Sequence, residues 1–234
     1  MTRSSTKLAA VDRKDAIIAA AIPVFARLGR AGATTKIIAQ AAGVSEALLY
    51  RHFPAKDALY AELEHHCVEA NAVGTRLLDG ATPSTATLVM GVAVLVQAVF
   101  PGIGRPEAHD DTKRLVTASL LDDGHFAKAF LERNVRPWIE LFADCLEAAR
   151  AAGDLEDSIH AGMAQLWFVH HLANTLHLMS LSGGSVVDYG MGKEELTASA
   201  ILFLLRGLGL KEAAIDRYYD PGKLNAVIAQ IVKD

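Results

Sequence analysis

The sequence predicts an all-α fold. Apolar residues recur at helical spacing along nearly the whole chain, and no segment alternates apolar with polar residues as a half-buried strand does. The breaks between helical stretches are short glycine and proline clusters: Gly29 and Gly32, Gly43, Phe53-Pro54, Gly80 to Pro83, residues 101–107, Gly153-Asp154, residues 183–192 and Pro221-Gly222. Helices are expected over 12–29, 35–42, 45–52, 55–79, 84–100, 107–121, 124–151, 159–182, 193–209 and 211–232, with residues 1–7 polar and unstructured. A chain of 234 residues that is 51% hydrophobic can bury a real core, as one domain or two modest ones.

The net charge of −4 is unevenly divided. Residues 1–60 carry nine Lys/Arg against four acids, a net +5, so the remainder, with 14 bases and 23 acids, carries −9. A basic head on an acidic body points to a polyanion as partner of the head alone. Cys67 and Cys145 lie far apart in helical stretches and form no disulfide framework, so they read as buried free thiols in a reducing compartment. The apolar run AIIAAAIPVFA (16–26) has acids Asp12 and Asp15 beside it and no cleavage site after it, unlike a secretory signal. Residues 86–100 would span only roughly 22 Å as a helix at 1.5 Å per residue, short of a ~30 Å hydrocarbon layer. They read as a buried core helix. A cytoplasmic protein without a membrane partner is expected.

The head is legible residue by residue in TTKIIAQAAGVSEALLYRHFPAKDAL (34–59). Thr34 or Thr35 suits a helix start, where a hydroxyl satisfies an orphan backbone N–H. Ile38, Ala39 and Ala42 share a face, and Gly43 suits a left-handed helix ending. Val44 plugs the corner, Ser45 caps the next helix, Leu49 and Phe53 pack back, and Pro54 closes the unit. Ala39, Gly43 and Leu49 thus stand at the spacing of a helix-turn-helix, whose second helix enters a major groove. Ser45, Glu46, Ala47, Tyr50, Arg51 and His52 are left on its other faces. Tyr50, Arg51 and His52 can meet phosphates, Arg51 can pair with guanine, and Glu46 can accept from cytosine N4. Thr35 and Lys36 open the preceding helix, and Lys56 the following one, both suited to phosphate.

Residues 12–63 resemble the DNA-binding domain of the TetR family of bacterial transcriptional regulators. The resemblance rests on Phe25 near the end of the first helix, then Gly32, TT, IAQAAGVS, LLYRHF, Lys56 and Leu59, and covers about the first quarter of the chain. It implies DNA contacts at Thr35, Lys36, Ser45, Glu46, Ala47, Tyr50, Arg51, His52 and Lys56. Leu48 departs from the family, which often has a small hydroxyl residue there. The operator sequence is therefore not carried over.

Beyond residue 65 the pattern alone speaks. In 124–151, Phe126, Phe130, Trp138, Leu141, Phe142 and Cys145 share one broad face, with Pro137 expected to kink or interrupt the helix. Segments 159–182 and 195–210 are apolar nearly all round and need a partner on two sides. They resemble the two helices that form the family's four-helix dimer bundle, so a homodimer through 159–182 and 193–209 is expected, with Ala198, Ala200 and Gly207 permitting close approach. The resemblance also implies a small-molecule effector pocket. Candidate lining residues are Val96, Phe100, Phe126, Phe130, Trp138, Phe142, Trp167, His171 and Asn174, an aromatic wall with a few polar handles.

The domains expected are 8–54, the helix-turn-helix DNA-binding domain, and 55–234, the helical effector-binding and dimerisation domain, with the helix over 55–79 coupling them. Catalysis finds no support: HExxH, GxSxG and GxxxxGK[ST] are missing, and GIGRPE (102–107) lacks the strand-glycine-helix setting of a dinucleotide site. His170 and His177, two turns apart, would hold their imidazoles about 10 Å apart, too far for one metal without other ligands. No cofactor, metal site or catalytic residue is expected. A ligand-responsive regulator on a palindromic operator, most simply a repressor, is the reading; a helical activator or architectural factor without effector is the alternative.

Overall fold

Local chemistry sets the helix ends. Thr34 and Ser45 accept hydrogen bonds from the backbone N–H groups of Ile37 and Leu48, at 3.3 and 3.2 Å, and so start two short helices. Gly43 adopts φ 64°, and the N–H of Val44 donates to the Ala39 carbonyl at 2.9 Å while that of Gly43 donates to Gln40 at 3.2 Å. Those two bonds satisfy carbonyls that the helix end leaves unpaired, and only a glycine takes the left-handed turn without strain.

The computed structural model describes residues 3–71, 78, 80–103, 106–159, 161–181 and 184–231. Among these, twelve helices and no strand are present. They are α1 (Arg3–Gly32), α2 (Thr35–Ala41), α3 (Glu46–His52), α4 (Lys56–Asn71), α5 (Thr85–Val99) and α6 (Pro106–Leu120). There follow α7 (His125–Asn134), α8 (Arg136–Ala151), α9 (Met163–Leu178), α10 (Lys193–Gly207), α11 (Glu212–Tyr218) and α12 (Pro221–Ile231). The all-α expectation holds. No helix among the described residues is long and apolar enough to cross a membrane.

Several boundaries differ from the expected ones, each for a local reason. Helix α1 begins at Arg3, not near residue 12, and is broken at Gly29 (φ 67°, ψ 173°). The stretch 124–151 is two helices, because Pro137 falls in the first turn of α8, where its missing N–H costs no bond. Residues 211–232 likewise divide before Pro221. There Asp220 Oδ1 accepts from the N–H groups of Gly222 and Lys223, at 2.8 and 3.1 Å, and starts α12. Residues 72–77 and 79 of the helix expected over 55–79 lie outside the described residues.

The chain forms two compact units: residues 1–73 with 107–133, and residues 74–106 with 134–234. In the first, Phe25, Ile38, Leu49, Phe53, Leu59 and Leu63 are fully buried, in one core with Leu115, Phe126 and Phe130. Lys14 adds an ion pair to Glu62 at 2.9 Å and lies over the Phe53 ring at 5.8 Å. In the second, α5 is the central helix, packed by α8, α9, α10, α11 and α12, with Leu88, Val92 and Val96 fully buried. Its first residue, Thr85, donates to Asp154 Oδ2 at 2.7 Å, tying α5 to the turn after α8. Cys67 and Cys145 are buried thiols outside any disulfide, as expected. Burial pushes the Cys67 thiol up to about 11, out of reach of thiolate chemistry.

Candidate nucleic-acid interface and effector cavity

Helices α2 and α3 present their polar residues outward. Lys36, Ser45, Glu46, Ala47, Tyr50 and Arg51 are exposed, while Thr35, Leu48, His52 and Lys56 are half-buried. The opposite side of α3 gives Leu49 to the core, and Phe53, which follows α3, is buried there too. A helix of barely two turns thus offers a basic and aromatic face backed by two anchors.

Three of the expected contact residues are also engaged with one another. Thr35 Oγ1 donates to Glu46 Oε2 at 3.1 Å and lies 3.4 Å from the Tyr50 hydroxyl, a bridge from α2 to α3. One carboxylate oxygen of Glu46 is therefore occupied within the head. Lys56 Nζ donates to the Arg30 carbonyl at 2.7 Å and holds the end of α1, keeping two further donors.

Sequence reasoning missed Arg30, which pairs with Asp57 at 3.1 Å and lies over the Tyr60 ring at 5.1 Å. The hydrogen bond that Arg30 donates to Asp57 holds its guanidinium further toward the charged form, and burial pushes the Tyr60 phenol up. No local spacing signals this clasp, since it joins residues 27 to 30 positions apart.

The nine residues expected to line a pocket are divided between the two units. Phe126 and Phe130 belong to the core of the first unit, edge to face at 6.1 Å between centroids. Val96, Phe100, Trp138 and Phe142 are buried in the second. Of these, Phe100 gives its carbonyl to His177 Nδ1 at 2.9 Å. On α9, Trp167 and Asn174 are half-buried and His171 is exposed. His171 stacks on Trp167 at 5.7 Å, Arg136 lies over the same indole at 6.0 Å, and partial desolvation of the imidazole lowers the His171 pKa. Among the described residues no group of three or more His, Cys, Asp or Glu could hold a metal ion.

At least two concavities open among the described residues of the second unit. One, of about 380 Å³, is lined by Met90, Gly91, Val94, Trp138, Leu141 and Val227 among others. Of the nine expected residues only Trp138 is part of it. The other, of about 510 Å³, has a mixed lining that includes Gln97, Lys193, Glu194, Tyr219 and Asn225, none of them anticipated. The sequence signal missed in both cases is α12, whose Val227 enters the first and whose Leu224 and Asn225 enter the second.

Of the small residues expected at a dimer contact, Ala200 is buried within the chain and Ala198 lines the larger cleft. Outward from α9 and α10 stand Phe168, 55% exposed, and Phe203, 66% exposed.

The head is a capped helix-turn-helix whose short second helix exposes Glu46, Tyr50 and Arg51, the form of a DNA-reading domain. Residues 17–63 match the family model of the bacterial regulatory proteins, tetR family. The head is thus a TetR-family DNA-binding domain, and the chain has the fold of TetR-family transcriptional regulators. It is similar to a bacterial regulatory protein in the tetR family from Rhodococcus RHA1, with 19% identity over 85% of this chain and 98% of that one, TM-score 0.57. A protein from Saccharomonospora viridis assigned as a transcriptional regulator, in complex with choline, has 18% identity over 86% and 99% of the two chains, TM-score 0.64. The transcriptional regulator FadR from Bacillus subtilis, in complex with stearoyl-CoA, has 14% identity over 82% and 97%, TM-score 0.52. No curated protein is a significant match to the chain.

Proposed function

We propose that this chain is a ligand-responsive transcriptional repressor of the cytoplasm. It binds a palindromic operator as a homodimer and is released by a small-molecule effector. The observation that carries the reading is the exposed face of α2 and α3, where Lys36, Tyr50 and Arg51 stand clear of a buried backing of Leu49 and Phe53. The cations and the phenol engage phosphates, and Arg51 reaches a base edge. One α3 spans few base pairs, so a second copy related by a two-fold axis supplies the rest of the site. Phe168 and Phe203, large apolar side chains outward on α9 and α10, support that pairing, because burying each aromatic ring removes much apolar surface from water. The cavities of the second unit, and the ligands that two structural neighbours carry, support an effector. Effector and operator are linked: an effector that weakens operator binding by some factor binds the DNA complex more weakly by the same factor.

Selection of random duplexes at roughly physiological salt is the test, since low salt favours contacts that ignore sequence. The expected product is an enriched inverted repeat. On it Arg51→Ala weakens binding and relaxes preference at one position, about 1–3 kcal/mol for a base contact, while Lys36→Ala weakens all duplexes alike. A pool without an enriched motif removes the regulator reading.

A further inference from the structure

We infer that Glu46 selects a cytosine in each half-site of the operator, its carboxylate aimed by Thr35; the inference rests on the regulator reading above. Glu46 is the one acid in residues 34–56, a stretch that also carries Lys36, Arg51 and Lys56. It is exposed, on a face otherwise suited to a polyanion. A carboxylate there is repelled by phosphates, so it weakens binding to every DNA sequence that offers it no donor. In the major groove only the amino groups of cytosine and adenine donate, while guanine and thymine turn the acceptors N7, O6 and O4 toward the protein. The adenine amino group lies between two acceptors, its own N7 and thymine O4. The cytosine amino group has an acceptor, guanine O6, on one side alone. A carboxylate has no proton to offer those acceptors, so cytosine fits it best.

Two helices place this carboxylate. Ser45 caps α3 through the Leu48 N–H at 3.2 Å and Leu49 anchors it in the core, which puts Glu46 at the first residue of the helix. The N-terminal residues of a recognition helix are those that approach base edges. From α2, capped in turn by Thr34, Thr35 Oγ1 donates to Glu46 Oε2 at 3.1 Å. That bond uses the single hydroxyl proton of Thr35, which acts as a positioning residue. It leaves Glu46 Oε1 as the acceptor for a base. Fixing one oxygen in advance also removes freedom that the side chain would otherwise lose on binding. Attraction to the positive end of a helix accounts for an acid at the start of α3. It does not account for a hydroxyl that reaches the acid from the other helix, 11 residues away.

Selection of random duplexes on the full-length protein and four variants tests the assignment. The native protein should enrich cytosine at one position of each half-site, over guanine or thymine by about ten-fold or more and over adenine by less. Glu46→Gln, whose amide accepts from adenine N6 and donates to N7, should move that position to adenine and leave the rest of the repeat unchanged. Glu46→Ala should lose the preference there and bind a duplex of unrelated sequence more tightly, since a repulsion is gone. Thr35→Val should lower the cytosine preference about three-fold or more, and Thr35→Ser should retain it. Chemical denaturation of the same variants should give midpoints close to the native one, because the changes lie outside the core. A repeat in which no position responds to Glu46, or in which the responding position holds another base, overturns the assignment and leaves the regulator reading standing. A cytosine preference untouched by Thr35→Val overturns the role given to Thr35. A pool without an enriched motif removes the regulator reading itself, and the base assignment with it.

Discussion

Leu49→Ala is expected to abolish sequence-specific DNA binding by unfolding the head, while its neighbour Tyr50→Ala abolishes it without unfolding anything. Leu49 has no exposed surface and shares a core with Ile38, Ala39 and Phe53. Truncating such a leucine loses its transfer free energy and leaves a cavity that the surroundings refill only in part, about 2–5 kcal/mol. Helices α2 and α3 have seven residues each and are too short to persist without that packing. Tyr50 is 47% exposed, so its loss should change stability by less than about 0.5 kcal/mol. Chemical denaturation beside DNA titration checks the pair. Equal stability losses at the two positions would show that α3 is not divided into a core face and a reading face.

Replacing Lys113 by methionine is expected to stabilise the protein at neutral pH, and less so as the pH is raised. Lys113 is 5% exposed in the first unit, with the Phe130 ring 6.0 Å from its ammonium. Burial lowers its pKa to about 8 from an ordinary 10.5. Between those values the unfolded chain holds a proton that the folded chain has given up. Unfolding then takes up protons, and stability rises with pH across that window. Below about pH 8 both states are charged and the full penalty applies, on the order of 3 kcal/mol for a shift of this size. The cation over Phe130 returns about 0.5–2 kcal/mol, so Lys113→Met should gain about 1–3 kcal/mol at pH 7. Denaturation at pH 7 and above pH 10 measures it. A gain that does not shrink at high pH would contradict the burial of a charged amine as its source.

The head was readable because its determinants are local. Thr34, Gly43 and Ser45 are each recognised within four residues of the backbone they serve, and Leu49 and Phe53 follow one helical period. The long-range engagements of the same residues were not readable. Lys56 was assigned to phosphate on its position alone, yet its ammonium meets the Arg30 carbonyl 26 residues away.

In the body, periodicity identified α5 as buried and Pro137 as a break, but it could not assign aromatic residues to one core or the other. Phe126 and Phe130 continue the pattern of Trp138 and Phe142 in sequence and still belong to a different unit, because the break between α7 and α8 is where the chain passes from one unit to the other. A cavity is harder still to read, since it is defined by what fails to meet. Gly91 and Val227, 136 positions apart, carry no local sign that they share one.

Two copies of this chain should read one inverted repeat, and the mass of the protein–DNA complex measures it. On the selected repeat two chains per duplex are expected. On a single half-site affinity should fall by about 100-fold or more, because the second reading helix then lacks its partner bases. Phe203→Glu, on the outward face of α10, should lower repeat affinity toward that of the half-site. One chain saturating the repeat, with half-site and repeat bound equally, would show that the protein does not read its site as a dimer.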